Sequence, residues 1–452
     1  MSYIKNREEL LAHGEIGLRA QALELIDAGI LNADPYQKTK ELVQIKDGVL
    51  QVGKQRFLLE KYQRIYVLGA GKATYPIAKA LDDILGERIT DGVVICKYGQ
   101  EGTLTHSRLY LSSHPVPDEA GYAACKELMK IARQTREGDL VFSISTGGST
   151  SLMPYPVEGV TIEEKRQTGL ALLRSGANMW EMNYVRKHLT QAKAGFLAKA
   201  IHPLVPILNL GVADGIGQGE DLCVEPTVPD DSTFADAQNV LTKYHLWDKI
   251  PASVASYIRN GTPDQETPKD LSDRMIYNYL LVHVDKATEG AYQKALEMGF
   301  HAMILSTFIE GESRELGGLM AAIGKEILDY DRPIQKPAAI ISGGESTMKI
   351  NIPNPGQGGP SQQFALAAAT WLRESRQIVI AGVDTDGTDG PTDLAGGIVD
   401  SSTIRRADEL GLDLFAYMDD FNDSAALRAL GDAIYTGGTG TNVNDLRVML
   451  VV

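Results

Sequence analysis

The chain has 452 residues and a formal charge of −15, with 43% hydrophobic and 23% charged residues. That length exceeds what one hydrophobic core usually serves, so two domains of roughly 200 residues each are expected. The acidic balance argues against nucleic acid or an anionic membrane as partner, because both reward clustered Lys and Arg. A small anion held in a local basic pocket remains compatible with it.

The first sixty residues read as helices, with apolar positions at helical spacing in Glu15–Ile30 and a polar connection to Tyr62. Strands and helices then alternate. Ile65–Leu68, Gly92–Cys96, Leu140–Ser145 and Val205–Leu210 are short apolar runs, and three of them end in glycine-bearing loops. The stretch 223–233 is rich in Pro, Asp, Thr and Ser and reads as a linker. Beyond it, Ala302–Leu305, Ala338–Ile341, Ile378–Ala381 and Arg447–Val452 read as strands, with a hairpin-like element at Met348–Ile352. Apolar strands separated by helical segments predict an α/β fold with mostly parallel sheets covered on both faces.

Three cysteines, Cys96, Cys125 and Cys223, are too few and too scattered for a disulfide framework or a zinc site. The N-terminus lacks a charged-then-apolar signal layout and no apolar run approaches membrane-spanning length, so the expected location is the cytoplasm. The 45 glycines fall largely after strands, where open α/β sheets bind ligands.

Gly69-Ala70-Gly71-Lys72 offers a tight turn whose N–H groups could face an anion, with Lys72 as a point charge. It lacks the Walker A spacing, and Thr74 replaces the third glycine of a dinucleotide fingerprint. Thr146-Gly147-Gly148-Ser149-Thr150-Ser151 could wrap phosphate oxygens, while the Gly-x-Ser-x-Gly hydrolase pattern fails at Ser151. Arg186, Lys187 and His188 gather three positive groups, and Arg186 could clamp a carboxylate with two hydrogen bonds. His114 is fixed between turn residues without an assigned role. In Asp384-Thr385-Asp386-Gly387-Thr388-Asp389-Gly390, carboxylates spaced by glycines could hold Mg²⁺ or act as base on a hydroxyl. Gly343-Gly344-Glu345 and Gly437-Gly438-Thr439-Gly440-Thr441-Asn442 fit further phosphate or nucleotide cradles.

At these stretches the chain resembles the glycerate 2-kinase family containing the MOFRL domain, some of whose members are labelled hydroxypyruvate reductase. Leu68–Ala73, 114–121, Val185–Leu189, 225–230, Thr385–Ala395 and Gly437–Leu446 carry the resemblance in the family's order. It implies ATP- and Mg²⁺-dependent phosphorylation of D-glycerate at its 2-hydroxyl, with the active site in a cleft between two α/β domains. The expected domains are 1–235, Rossmann-like, and 236–452, containing the MOFRL region at about 335–446. The implied roles are catalysis by Lys72, Arg186 and Asp386, substrate binding by Lys187, His188 and Asp214, and Mg²⁺ binding by Asp386 and Asp389. Phosphate or nucleotide binding falls to Gly69, Gly71, Gly147, Gly148, Ser149, Gly343, Gly344, Glu345, Gly437, Thr439, Gly440, Thr441 and Asn442.

Three departures bear on the substrate. Gly356-Gln357-Gly358-Gly359-Pro360-Ser361-Gln362-Gln363 stands where the family has Gly-Arg-Gly-Gly-Arg-Asn-Gln-Glu, so Pro360 replaces a candidate cation. A glycine-rich stretch follows Asp214 in place of an acidic pair, and Thr146 and Thr150 stand for Gly and Ala. A kinase of another sugar acid, an NAD(P)H-dependent hydroxypyruvate reductase and a non-catalytic sugar-acid sensor are the competing readings. The expected partners are a small hydroxy acid and a nucleotide, with a homodimer left open.

Overall fold

The computed structural model describes residues 2–100, 102–114, 116–213, 226–373 and 377–452. The chain divides into two compact units. One holds Pro35–Val212 and residues 226–281; the other joins the N-terminal residues up to Asp34, and Ala213, to Val282–Val452.

After the helix Pro35–Leu42, the first unit forms an antiparallel meander of β1 (Val43–Lys46), β2 (Val49–Val52) and β3 (Gln55–Leu58). Sequence reading placed helix and polar connection here. Asp47 and Gly48 take positive φ of 50° and 74° and join Lys46 to Val49 in a two-residue turn, the conformation that matches strand twist. A six-stranded sheet follows, built from β4 (Arg64–Ala70), β5 (Ile89–Lys97), β6 (Arg108–Ser112), β7 (Asp139–Thr146), β8 (Ile207–Val212) and β9 (Ile276–Val282). Its order is β6-β5-β4-β7-β8-β9. The pairs β4–β5, β4–β7, β5–β6 and β7–β8 are all parallel.

Every residue of β7 and β8 is buried, as expected of strands covered on both faces. Helices Thr74–Leu85 and Glu119–Arg133 pack on the sheet, the second capped by Asp118, whose carboxylate accepts from Gly121 N at 2.9 Å. The non-consecutive neighbours β4 and β7 make a topological switch point, where open sheets of this kind bind ligands beyond the strands' carboxyl ends.

Four helices form a second core in this unit: Ile162–Arg174, Met179–Lys187, Phe234–Lys243 and Ala252–Arg259 pack around Leu172, Val185, Leu241, Val254 and Ile258. The boundary expected at residue 235 therefore falls inside one core. The stretch expected to be a linker is described from Pro226 onward, and there Thr227, Asp230 and Ser232 are buried. Turn-rich composition here serves packed hydrogen bonding, not an exposed tether.

The second unit's sheet contains β10 (His301–Glu312), β11 (Ala338–Thr347), β12 (Ile378–Asp384), β13 (Gly396–Asp400), β14 (Ala433–Ile434) and β15 (Asp445–Val451), in the order β10-β11-β15-β12-β13-β14. The α/β class holds, but this sheet is mixed. Only β10–β11 is parallel, because the last strand inserts between β11 and β12 antiparallel to both. Residues 348–352 form no strand, so the expected hairpin is absent.

Helices Ile16–Asn32 and Val284–Glu297 pack together beside β15. Gly29 sits where a Cβ would lie 2.8 Å from the Ala287 carbonyl oxygen, and at Gly290 it would lie 2.6 Å from that of Ala28, so both glycines permit close helix approach. The N-terminal helix thus belongs with the C-terminal sheet. Arg19, fully buried on it, pairs with Asp400 at 2.6 Å and Asp432 at 2.7 Å. Among the described residues no helix is long and apolar enough to cross a membrane.

Candidate active site

At the switch point of the first unit, β4 and β7 deliver two loops that interlock. Gly71 N donates to Ile95 O at 3.1 Å, Lys72 N to Gly147 O at 2.8 Å, and Ala73 N to Thr146 Oγ1 at 3.0 Å. Thr74 N donates to Gly71 O at 3.4 Å. The N–H groups expected to face an anion are therefore spent inside the protein. Gly69 and Gly71 are glycines for packing: a Cβ would stand 2.6 Å from Ile144 Cβ at the first and 2.0 Å from Thr146 Oγ1 at the second. What this loop contributes to a site is the half-buried Lys72 side chain.

The Gly147–Thr150 segment is different. Its backbone N–H groups have no protein acceptor among the described residues, the condition for receiving an oxyanion. Gly148 has φ of 82°, and a Cβ there would meet His114 Cδ2 at 2.9 Å and Lys72 Cγ at 3.1 Å. Both side chains, one of them left unassigned by the sequence, therefore flank this loop. A further cation was missed. Lys193 is buried and donates to Ser149 Oγ at 2.6 Å and Thr150 Oγ1 at 3.0 Å, fixing the loop's hydroxyls. The available signal was a lysine inside the otherwise weakly polar run Leu189–Leu197, followed by positive φ at Ala194 and Gly195.

The basic trio separates by role. Lys187 Nζ pairs with Asp230 Oδ1 at 2.8 Å, and that carboxylate also accepts from Ser232 and Thr267, so the cation is neutralised internally. His188 uses both ring nitrogens, Nδ1 with Tyr184 O at 2.7 Å and Nε2 with Glu266 Oε2 at 3.0 Å, and its ring packs at a tilt against Phe234 with centroids 4.7 Å apart. Neither is placed to bind substrate as expected; both pin the helical core. Arg186 is half-buried, its contact being Met179 Sδ at 3.8 Å, and it has no carboxylate partner among the described residues. Asp214 lies outside the described residues.

In the second unit, the acidic loop joins the antiparallel strands β12 and β13 and is laced to the 436–445 loop. Thr439 Oγ1 donates to Thr385 O at 2.5 Å, Val443 N to Thr385 Oγ1 at 3.0 Å, and Thr385 N to Asn444 O at 3.0 Å. A Cβ at Gly387 would lie 1.9 Å from Gly437 O, so the two loops touch through backbone. Thr441 and Asn442 are buried behind them. Lys5, which sequence reading passed over, brings its Nζ to 2.3 Å from the Cβ that Gly437 lacks.

Asp386 Oδ1 accepts from Thr388 N at 2.8 Å and Oγ1 at 2.6 Å. Asp389 accepts from Ser361 N at 3.1 Å and Gln362 N at 2.9 Å, capping the helix Pro360–Trp371 that Pro360 opens. Each Asp389 oxygen thus accepts one backbone N–H and holds the helix start. Asp445 ties the neighbourhood together, accepting from Ser346 N at 2.9 Å and Ser361 Oγ at 3.2 Å while pairing with Arg447. Gly343 and Gly344 are paired residues of β11, opposite Leu446 and Asp445, and Glu345 beside them is exposed. They pack a strand; they are not an open cradle.

Burial, then the charges of Asp386, Asp445 and Asp389, hold the Asp384 carboxyl well above the usual carboxylate range. Such crowding is what a divalent cation beside Asp384 and Asp386 would relieve, and two carboxylates are enough when nucleotide phosphates supply the remaining ligands. Among the described residues no group of three or more His, Cys, Asp or Glu is arranged to hold a metal unaided. A cation at Asp384 and Asp386 would therefore need phosphate oxygens to complete its ligands.

A parallel sheet whose switch point carries unspent backbone donors beside lysines defines an α/β protein equipped for an anion at that point. Residues 21–259 match a domain of unknown function, DUF4147, and residues 338–445 match the MOFRL family. The glycerate 2-kinase of Pyrococcus horikoshii is 37% identical over 442 residues, covering 97% of both chains. The D-glycerate 2-kinase of Thermotoga maritima is 40% identical over 391 residues, covering 86% of this chain and 91% of that one. The crystal structure of the Thermotoga maritima glycerate kinase superposes with a TM-score of 0.83 at 37% identity, covering 96% of this chain and 100% of that one. The chain belongs to the glycerate 2-kinase family that carries the MOFRL domain.

Proposed function

We propose that this protein transfers the γ-phosphoryl group of ATP to a hydroxyl of a small hydroxy acid, D-glycerate first, forming 2-phosphoglycerate. The observation that carries the reading is the Gly147–Thr150 loop at the sheet's switch point, with its unspent N–H groups flanked by Lys72 and Lys193, in a chain similar over most of its length to named glycerate kinases. Phosphoryl transfer asks mainly for positioning and neutralisation of phosphate charge, and backbone donors with lysines supply both. Arg186, with no carboxylate partner among the described residues, is the cation for the acid group. Mg²⁺ bound through Asp384 and Asp386 would neutralise phosphate charge, and the Asp386 carboxylate would orient those phosphates or accept the hydroxyl proton.

A nicotinamide-dependent reductase finds less support. The N–H groups that a dinucleotide pyrophosphate would need between Gly69 and Thr74 already have acceptors. We place the protein in the cytoplasm.

Asp386→Asn should lower ATP-dependent turnover about 100-fold by removing one charged ligand while keeping its shape. ADP release with D-glycerate and Mg²⁺ reads the effect. Undiminished turnover would remove Asp386 from the site.

A further inference from the structure

Most buried cations of the described residues have a carboxylate partner: Arg19 has Asp400 and Asp432, Lys187 has Asp230, and Arg447 has Asp445. Two half-buried cations in the first unit break this pattern. Lys165, on the helix Ile162–Arg174, donates from Nζ to the Leu189 carbonyl at 3.2 Å and has no carboxylate partner among the described residues. Arg186, on the neighbouring helix Met179–Lys187, has none either. They meet at one turn of chain: the Leu189 residue whose carbonyl takes the Lys165 ammonium donates its own N–H to Arg186 O at 3.3 Å.

The groups facing Lys165 offer no relief. Burial lowers it first, Arg186 lowers it further, and the opposing influence is Cys125 on the helix Glu119–Arg133. That thiol is pushed up to about 12 by burial and is therefore neutral, and it also faces Lys193 and Arg133. Desolvation likewise lowers Arg186. Holding two such cations together without a counter-charge costs stability, and a protein carries that cost where an external anion completes the set.

We propose that Lys165 and Arg186 form a carboxylate-binding subsite that grips the acid group of the acceptor, Arg186 through its forked donors and Lys165 as a second point charge. The pair fits a hydroxy acid and rejects an uncharged polyol of the same size. This rests on the hydroxy-acid half of the function proposed above and is independent of phosphoryl transfer. It also predicts a pH dependence. Lys165 is lowered to about 8, so its charge is present below that value and lost as pH rises through it, and affinity for the acid falls in the same direction.

The test is calorimetric titration of the full-length protein with D-glycerate in the absence of nucleotide, with glycerol as the uncharged control, between pH 6.5 and about 9.5, which brackets the lysine's transition. The wild-type protein should bind D-glycerate and not glycerol. Lys165→Met and Arg186→Met should each weaken binding about 30-fold or more. Lys165→Arg should retain affinity within about threefold and lose the fall above pH 8, because a guanidinium stays charged. Unchanged affinity in Lys165→Met would overturn the proposal. So would a loss in Lys165→Arg as large as in Lys165→Met, or an alkaline fall that persists in it, or failure of the wild-type protein to bind any three- to six-carbon hydroxy acid. Acid binding that depends on both residues, without ATP turnover, would uphold the subsite and remove the kinase reading.

Discussion

Lys72→Met is expected to lower kcat for ATP-dependent phosphorylation about 100- to 1000-fold, with a smaller change in the KM of the acid. The argument starts from the backbone. The N–H groups around Lys72 are bonded within the protein, so the loop holds the lysine's main chain rigid at the end of β4. Its side chain then runs beside Gly148, where free N–H groups begin. A cation so fixed neutralises charge that grows on a phosphoryl group in the transition state, and methionine keeps the stem while deleting that charge. Lys72 is half-buried in a loop whose order rests on backbone bonds, so the variant should unfold within about 1 kcal/mol of the parent. Steady-state kinetics beside urea unfolding separates the two effects. Turnover within threefold of the parent would exclude Lys72 from the chemistry.

Arg19→Met should destabilise the second unit by about 3–5 kcal/mol, the usual cost of stranding buried carboxylates. The guanidinium is fully buried and also donates to the carbonyls of Leu10 at 3.0 Å and Ile398 at 3.3 Å. Asp432 keeps His13 at 2.9 Å and Arg406 at 2.7 Å, so the exposed loss falls on Asp400. Burial alone would raise Asp400, but Arg19 and its hydrogen bonds hold it at about 2. An acid held below its unfolded value stabilises the fold above that value and loses the contribution as pH falls towards 2. The gap between Arg19→Met and the parent should therefore be full at pH 7 and narrow below pH 4, as Asp400 takes up a proton. Urea unfolding at several pH values reads it, and a gap below 1 kcal/mol at pH 7 would contradict the role given to the ion pairs.

Much of the first unit was legible because its strands are short, wholly apolar and followed by glycine loops. The meander was not, since four-residue strands such as Val43–Lys46 carry too little pattern, although Asp47-Gly48 between alternating residues is a hairpin signal. The docking of Ile16–Asn32 on the C-terminal sheet depends on Arg19 meeting Asp400 and Asp432, partners nearly four hundred residues away that no local pattern announces. For the site, sequence reading found the loops and misjudged their glycines. A glycine after a strand looks the same whether it admits a ligand or a neighbouring element; Gly69, Gly71 and Gly344 admit a neighbouring strand, and Gly343 admits the helix Val284–Glu297. Lys187 and His188 are similar: residue type suggested a ligand-binding role, while the structure gives them partners distant in sequence.

Pro360 keeps the choice of acid the sharpest question, since it opens a helix where the resembled family carries arginine. The most direct measurement is one incubation of the purified protein with ATP, Mg²⁺ and D-glycerate, followed by phosphorus NMR of the products. The expected result is ADP and 2-phosphoglycerate in equal amounts, with no oxidation of NADH or NADPH when hydroxypyruvate is supplied instead. Nicotinamide oxidation without phosphoryl transfer to any hydroxy acid would contradict it.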